Sequence, residues 1–175
     1  MADVNDFRNG MARLAGAVNV VTTDGVAGMA GITATAVCSV TDQPPTLLVC
    51  MNRNSHAHPI FVSNGKLCVN VLAASQQEIS RLFANRSVTM ADRFNRIRWS
   101  RLSTGSPLIT DALVNFDCRI AHMHDAGSHS VFLCEVAQVV QGDAGAGLVY
   151  FDREYHGVGV PAAGAATAAP AQAPA

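Results

Sequence analysis

The chain has 175 residues, with 12 basic against 13 acidic side chains, 49% hydrophobic residues and 14% charged ones. That is enough for one well-cored domain and too little for two. A formal net charge of −1 excludes the broad basic footprint of a nucleic-acid binder or a polybasic membrane-surface protein. The N-terminal residues Met1 to Arg8 carry acids where a secretory signal carries a basic region, so export is not expected. No apolar run approaches the roughly 20 residues that cross a bilayer, so no membrane span is expected either. The cysteines, Cys38, Cys50, Cys68, Cys118 and Cys134, form no Cys-x-x-Cys pair and sit in apolar runs. They are expected as reduced core thiols of a cytoplasmic protein.

Phe7, Met11, Leu14 and Ala15 recur at helical spacing behind Asn5 or Asp6, which predicts an amphipathic opening helix over 6–15, ended by Gly16. Val18–Thr23 and Met29–Val40 then read as two strands of a hairpin around Asp24-Gly25. Thr46–Met51 is a short buried strand that ends at Asn52-Arg-Asn-Ser55, a cluster expected to open a helix through Val62. Lys66–Leu72 is a strand, and Ser75-Gln-Gln-Glu78 is a capping box ahead of a helix bearing Ile79, Leu82 and Phe83. Val114–Ile120 alternates polar with apolar residues as a half-buried strand, a turn at Ala126-Gly-Ser128 leads into Val131–Val140, and Leu148–Phe151 is the last strand. About seven strands with hairpin connections and three or four helices predict a mostly β protein, an antiparallel barrel with peripheral helices. One domain over 1–160 is followed by an Ala/Pro-rich stretch, 161–175, expected as a flexible tail.

The familiar catalytic motifs are missing. Gly157-Val-Gly159 follows the last strand and lacks the third glycine of a dinucleotide fingerprint, and no P-loop, zincin or serine-hydrolase motif occurs. His56 with His58, and His122 with His124, have the spacing of paired ligands, but no third ligand is identifiable and no metal is expected.

Two segments hold more. In Gly31-Ile-Thr-Ala-Thr-Ala-Val-Cys-Ser-Val40, Thr33, Thr35 and Ser39 share one parity among small residues. A flat ligand can approach such a backbone, although an edge strand rich in threonine reads the same way. Asn52-Arg53-Asn54-Ser55 puts an arginine, short polar side chains and orphan helix amides where a phosphate can be held; an ordinary helix cap with a solvated arginine is the other reading.

Taken together, Phe7-Arg-Asn-Gly-Met-Ala-Arg-Leu14, Ala17-Val-Asn-Val-Val-Thr-Thr23, the Gly31–Val40 segment, Pro44-Pro-Thr-Leu-Leu-Val-Cys50, Asn64-Gly-Lys-Leu-Cys-Val-Asn-Val-Leu72 and Gly147-Leu-Val-Tyr-Phe-x-Arg-x-Tyr-His156 resemble the flavin reductase family. The likeness spans about 6–156 and lies nearest the reductase components of two-component aromatic monooxygenases and the related pyrimidine-degradation reductases. It implies a homodimeric split β-barrel that uses NADH to reduce FAD or FMN, with FAD favoured, and releases the reduced flavin to a separate oxygenase. Ile32, Thr33, Ala34, Thr35, Ala36, Ser39 and Val40 are implied beside the isoalloxazine, and Asn52, Arg53, Asn54 and Ser55 at the flavin phosphates. His129, in Gly127-Ser-His129, is implied on the nicotinamide side. Phe83, Asn85 and Arg86 would flank the flavin, and Arg153, Tyr155 and His156 would close over the cofactors. No catalytic side chain is required, because hydride passes between the two cofactors. Two rivals use the same barrel: a module that keeps its flavin, and a relative of the pyridoxamine-phosphate oxidases, disfavoured by Lys66 being the sole lysine.

Overall fold

The computed structural model describes residues 2–159, so the expected tail from Pro161 lies outside the described residues. The strands are β1 (Gly16–Ala17), β2 (Asn19–Thr23), β3 (Ala30–Ala34), β4 (Val37–Asp42), β5 (Pro45–Asn52), β6 (Lys66–Val71), β7 (Trp99–Arg101), β8 (Pro107–Ile109), β9 (Val114–Ala126), β10 (His129–Gln141), β11 (Gly147–Phe151) and β12 (Glu154–Val158). The helices are α1 (Val4–Ala12), α2 (His58–Asn64), α3 (Gln77–Ala84) and α4 (Met90–Asn95).

One antiparallel sheet runs β3-β2-β6-β9-β10-β5-β4. Its two edge strands, β3 and β4, are consecutive in the chain with only Thr35 and Ala36 between them. The sheet must therefore curl until its edges meet, which makes it a barrel closed at one corner. A second sheet, β1-β11-β12, and the β7–β8 ribbon flank it. β2 is buried along its whole length, and its alternation feeds two cores. Val21 joins Val49, Met51, Phe61, Val69 and Phe132 in one cluster, whereas Val18 and Val20 join Leu72, Phe83, Phe94 and Leu148 in the other.

The predicted strand Met29–Val40 is thus two strands that leave for opposite sheet edges. β-Branched composition favours extended backbone throughout and does not mark the corner. Several boundaries also move. α1 starts after Asp3, whose carboxylate accepts from the Asn5 and Asp6 amides at 2.8 and 3.2 Å, and Gly16 opens β1 rather than ending the helix. The expected Ser75–Glu78 box does not form, because Gln76 Oε1 takes the Ala73 amide at 3.1 Å and α3 begins at Gln77. α4, β7, β8 and β12 were not expected. Cys68, Cys118 and Cys134 are buried as predicted, but Cys38 is exposed on edge strand β4 and Cys50 is half-buried.

Among the described residues every buried side-chain nitrogen and oxygen has a hydrogen-bond partner. Asn115 and Asp117, on the polar parity of β9, are buried rather than solvent-facing. Asp117 accepts from Ser103 Oγ at 3.0 Å, the Thr104 amide at 2.8 Å and the Thr104 hydroxyl, and Asn115 Nδ2 donates to Asn70 Oδ1 at 2.8 Å. Arg93 of α4 is 8% exposed and pairs with no acid among the described residues. It donates to the carbonyls of Gly31, Phe83, Asn85 and Val88, tying the α3–α4 connection to β3. Gly31 is required there, since a Cβ would stand 2.5 Å from the Phe83 ring.

Candidate functional site

The barrel corner sets the site. The Val37 amide donates to the Thr35 carbonyl at 2.9 Å and the Cys50 amide to the Ala36 carbonyl at 3.0 Å, pinning the corner to the middle of β5. The Thr35 and Ala36 amides, both exposed, donate to no protein acceptor among the described residues. One cleft is lined by Thr35 of the corner, and a second lies at the end of β5.

The first cleft, about 660 Å³, is lined by Thr33, Ala34 and Thr35, by Gln77, Arg81 and Ala84 of α3, and by Tyr150, Arg153, Glu154 and Tyr155 of the β11–β12 hairpin, over Val18. Thr33 Oγ1 donates to the Ser80 carbonyl at 2.6 Å, which orients its methyl and fixes β3 against α3. Tyr155 is anchored by a 2.9 Å hydrogen bond between its hydroxyl and Ser80 Oγ, and the Arg81 guanidinium lies 5.7 Å from its ring centroid. The hairpin turns through Asp152 and Arg153, both at positive φ (49° and 66°). Left-handed backbone at two successive residues is what a tight two-residue hairpin turn needs. α1 steadies it: the Asp152 amide donates to the Ala12 carbonyl at 2.7 Å and Arg153 Nη2 to Asn9 Oδ1 at 2.6 Å.

The second cleft, about 420 Å³, lies where β5 ends against the β9–β10 turn and is lined by Arg53, Asn54, His58, Gly127 and Ser128. Antiparallel register sets His129 opposite Asn52, and the Arg53 amide donates to the Ser128 carbonyl at 2.9 Å. His129 Nδ1 is 2.9 Å from Ser128 Oγ, and its ring is exposed. The orphan amides expected at Asn52–Ser55 are absent. The helix begins only at His58, and the Arg53, Asn54 and Ser55 amides are taken by the Ser128 carbonyl, Asn52 Oδ1 and the Asn52 carbonyl. What remains for an anion is side-chain chemistry, chiefly the Arg53 guanidinium.

Of the sequence-predicted residues, the structure gathers Thr33, Ala34, Thr35, Arg153 and Tyr155 in the first cleft, and Arg53 and Asn54 in the second. Ala36 stands at the corner and lines neither cleft, and Asn52, Ser55 and His129 adjoin in sequence residues that line the second. The others lie elsewhere. Ile32 packs on the barrel core. Ser39 and Val40 are exposed on β4, because the break after Ala34 ends the shared parity. The Phe83 ring is in the core against Phe94. Asn85 caps the end of α3, and exposed Arg86 follows it outside both clefts. His156 turns back to the Phe151 carbonyl at 3.1 Å. Sequence reasoning missed Gln77, Arg81 and Ala84, although their i, i+4, i+7 spacing marks one helix face. Among the described residues no three of His, Cys, Asp or Glu form a metal-ligating group.

Comparison with known proteins follows the same outline. The flavin reductase like domain family matches residues 11–159. FMN reductase (NADH) RutF of Stutzerimonas stutzeri (strain A1501) is 56% identical over 153 residues, 87% of either chain. BorF, the flavin reductase component of a bacterial two-component tryptophan halogenase, superposes with a TM-score of 0.83 at 34% identity, over 89% of this chain and 98% of its own. The NADH:FAD oxidoreductase SgcE6 of Streptomyces globisporus C-1027 gives 0.81 at 29% identity, over 89% and 94%.

Proposed function

The chain belongs to the flavin reductase like domain family, and from that premise we propose that it is an NADH:flavin oxidoreductase that passes reduced flavin to a separate oxygenase. The observation that carries this reading is the Cys50–Ala36 hydrogen bond, which joins the exposed amides at the barrel corner to the strand that delivers Arg53. The residues present suit a flavin. Free amides at Thr35 and Ala36 can meet the ring's polar edge, small side chains at Ala34 and Ala36 let a flat ring approach, and Arg53 with Asn54 can pair a phosphate.

When bound together, the two cofactors supply the chemistry, a hydride passed from nicotinamide to flavin. The chain's part is placement. The corner amides would orient the ring and favour negative charge at its edge. His129, exposed beside Asn52, would border the nicotinamide, and Tyr155, held by Ser80, walls the first cleft.

FMN is placed first as acceptor, because the 56% identical relative is named for FMN; FAD, which the sequence resemblance favoured, is second and is the flavin of SgcE6. An aromatic hydroxylase is the oxygenase class that the resemblance implies. A second copy of the chain would cover α1 and the turn after it, where the apolar residues Val4, Phe7, Met11 and Leu14 are exposed by 59%, 63%, 47% and 66%.

Loss of reduced-nicotinamide absorbance under air tests the reading with FMN, FAD, riboflavin or no flavin added. Turnover that requires added flavin, fastest with FMN, is expected. A protein that purifies with its flavin and gains nothing from more of it is a retained-flavin module and overturns the proposal.

A further inference from the structure

A polar chain that neither cleft's ligand reading uses runs behind Arg53. Asp125, near the end of β9, sets Oδ2 3.2 Å from Arg53 Nη1 and accepts with Oδ1 from Ser130 Oγ at 2.9 Å. Ser130 is fully buried and lies 2.9 Å from His58 Nε2. A hydroxyl has one proton, and the carboxylate takes it, so His58 must donate from Nε2. The His58 ring in turn lies on Phe132, with centroids 5.8 Å apart and planes 26° from parallel. Asp125 is thus held from behind by a buried hydroxyl and a packed ring. On its other side Asp125 meets Arg53, and both side chains are about half exposed. The carboxylate thus has a second tie, to Ser130, besides its ion pair with the guanidinium.

We propose that Asp125 weakens the site by its placement: it keeps a negative charge against Arg53, so that a flavin phosphate is captured loosely and the reduced flavin leaves quickly. This inference rests on reading Arg53 as the phosphate anchor. Arg53 is the sole arginine or lysine lining the second cleft among the described residues. A phosphate arriving there must share or displace the carboxylate, and the cost falls mainly on the dissociation rate. A ligand that the protein keeps would gain from an uncompensated arginine; one that must be handed on gains from this pairing.

The test is the binding of FMN, FAD and riboflavin to the wild type, Asp125→Asn and Arg53→Ala, by quenching of flavin fluorescence, with dissociation rates by stopped flow. Asparagine keeps an oxygen for Ser130 and removes the charge. Asp125→Asn should bind FMN and FAD about two- to fivefold tighter through slower dissociation, the range set by exposed ion pairs, with riboflavin unchanged. If Arg53→Ala weakens FMN relative to riboflavin while Asp125→Asn binds FMN no tighter, the proposal alone fails. An Asp125→Asn protein that also loses riboflavin marks the residue as a structural support and overturns it too. If Arg53→Ala leaves FMN and riboflavin equally bound, the anchor reading fails and takes the proposal with it.

Discussion

The Cys50 amide donates to the Ala36 carbonyl at 3.0 Å, and through that bond two distant stretches of sequence become one track. Arg53 lies three residues beyond Cys50, about 10 Å along extended chain, a span of the order of a flavin's ribityl tail. Ring contacts at the corner and phosphate contacts at Arg53 are therefore compatible with a single ligand, which is the geometric core of the functional reading.

Arg53→Ala should weaken FMN and FAD by about tenfold while leaving riboflavin unaffected, because a half-exposed charge-assisted contact is worth about 1.4 kcal/mol. Dissociation constants by fluorescence titration decide it. An equal loss for all three flavins would place Arg53 in ring binding or folding instead.

His129 is exposed opposite Asn52, and its Nδ1 is engaged by Ser128, which leaves Nε2 for a ligand. His129→Ala should raise KM for NADH more than KM for flavin in steady-state assays. Equal changes in both would count against a nicotinamide-side role.

Arg93 sits among four carbonyls without a counter-ion, and burial pulls its guanidinium pKa below the ordinary value. Arg93→Ala strips those carbonyls of their donors, so unfolding free energy measured in urea should fall by about 3 kcal/mol. Arg93→Lys should recover less than half of it, since one ammonium cannot span all four. A loss below about 1 kcal/mol would mean that water replaces the guanidinium freely.

Burial pushes the Cys134 thiol up to about 12 from 9.0, and Cys68 and Cys118 are raised for the same first reason. In the unfolded chain these thiols ionise near 9.0, while the folded ones stay protonated. Above that pH the unfolded state therefore holds fewer protons than the native state, and stability falls as pH rises. Unfolding free energy should drop by up to about 1.4 kcal/mol per pH unit for each such thiol, and Cys134→Val should make the slope shallower. A profile flat across the range would contradict this burial.

The parts of the fold written in local pattern were readable. The β2–β3 hairpin, β5, β6 and the long β9–β10 pair follow from β-branched runs and turn residues, and Thr33, Thr35 and Arg53, whose residues alone leave a ligand role open, lie in the two clefts. What the sequence hid is tertiary. Nothing local marks Thr35-Ala36 as the place where the chain changes sheet edge, so Ser39 was credited with a face it does not share. The Asp152-Arg153 turn uses two non-glycine residues at positive φ, and without a glycine to flag it β12 went unseen. The resemblance implied that Phe83 flanks the flavin, whereas its ring fills the space above Gly31 in the packed core. Asp125 has no motif at all; its meaning depends on a buried serine and a histidine from another element.

The measurement that bears most directly on the reading of this chain as a supplier of free reduced flavin is anaerobic. A catalytic amount of purified protein is mixed with excess FMN and NADH, and the visible flavin band is followed. Bleaching of many equivalents of FMN per protein is expected, since each reduced flavin leaves and another binds. Bleaching that stops at one equivalent, or none without a further protein, would contradict it.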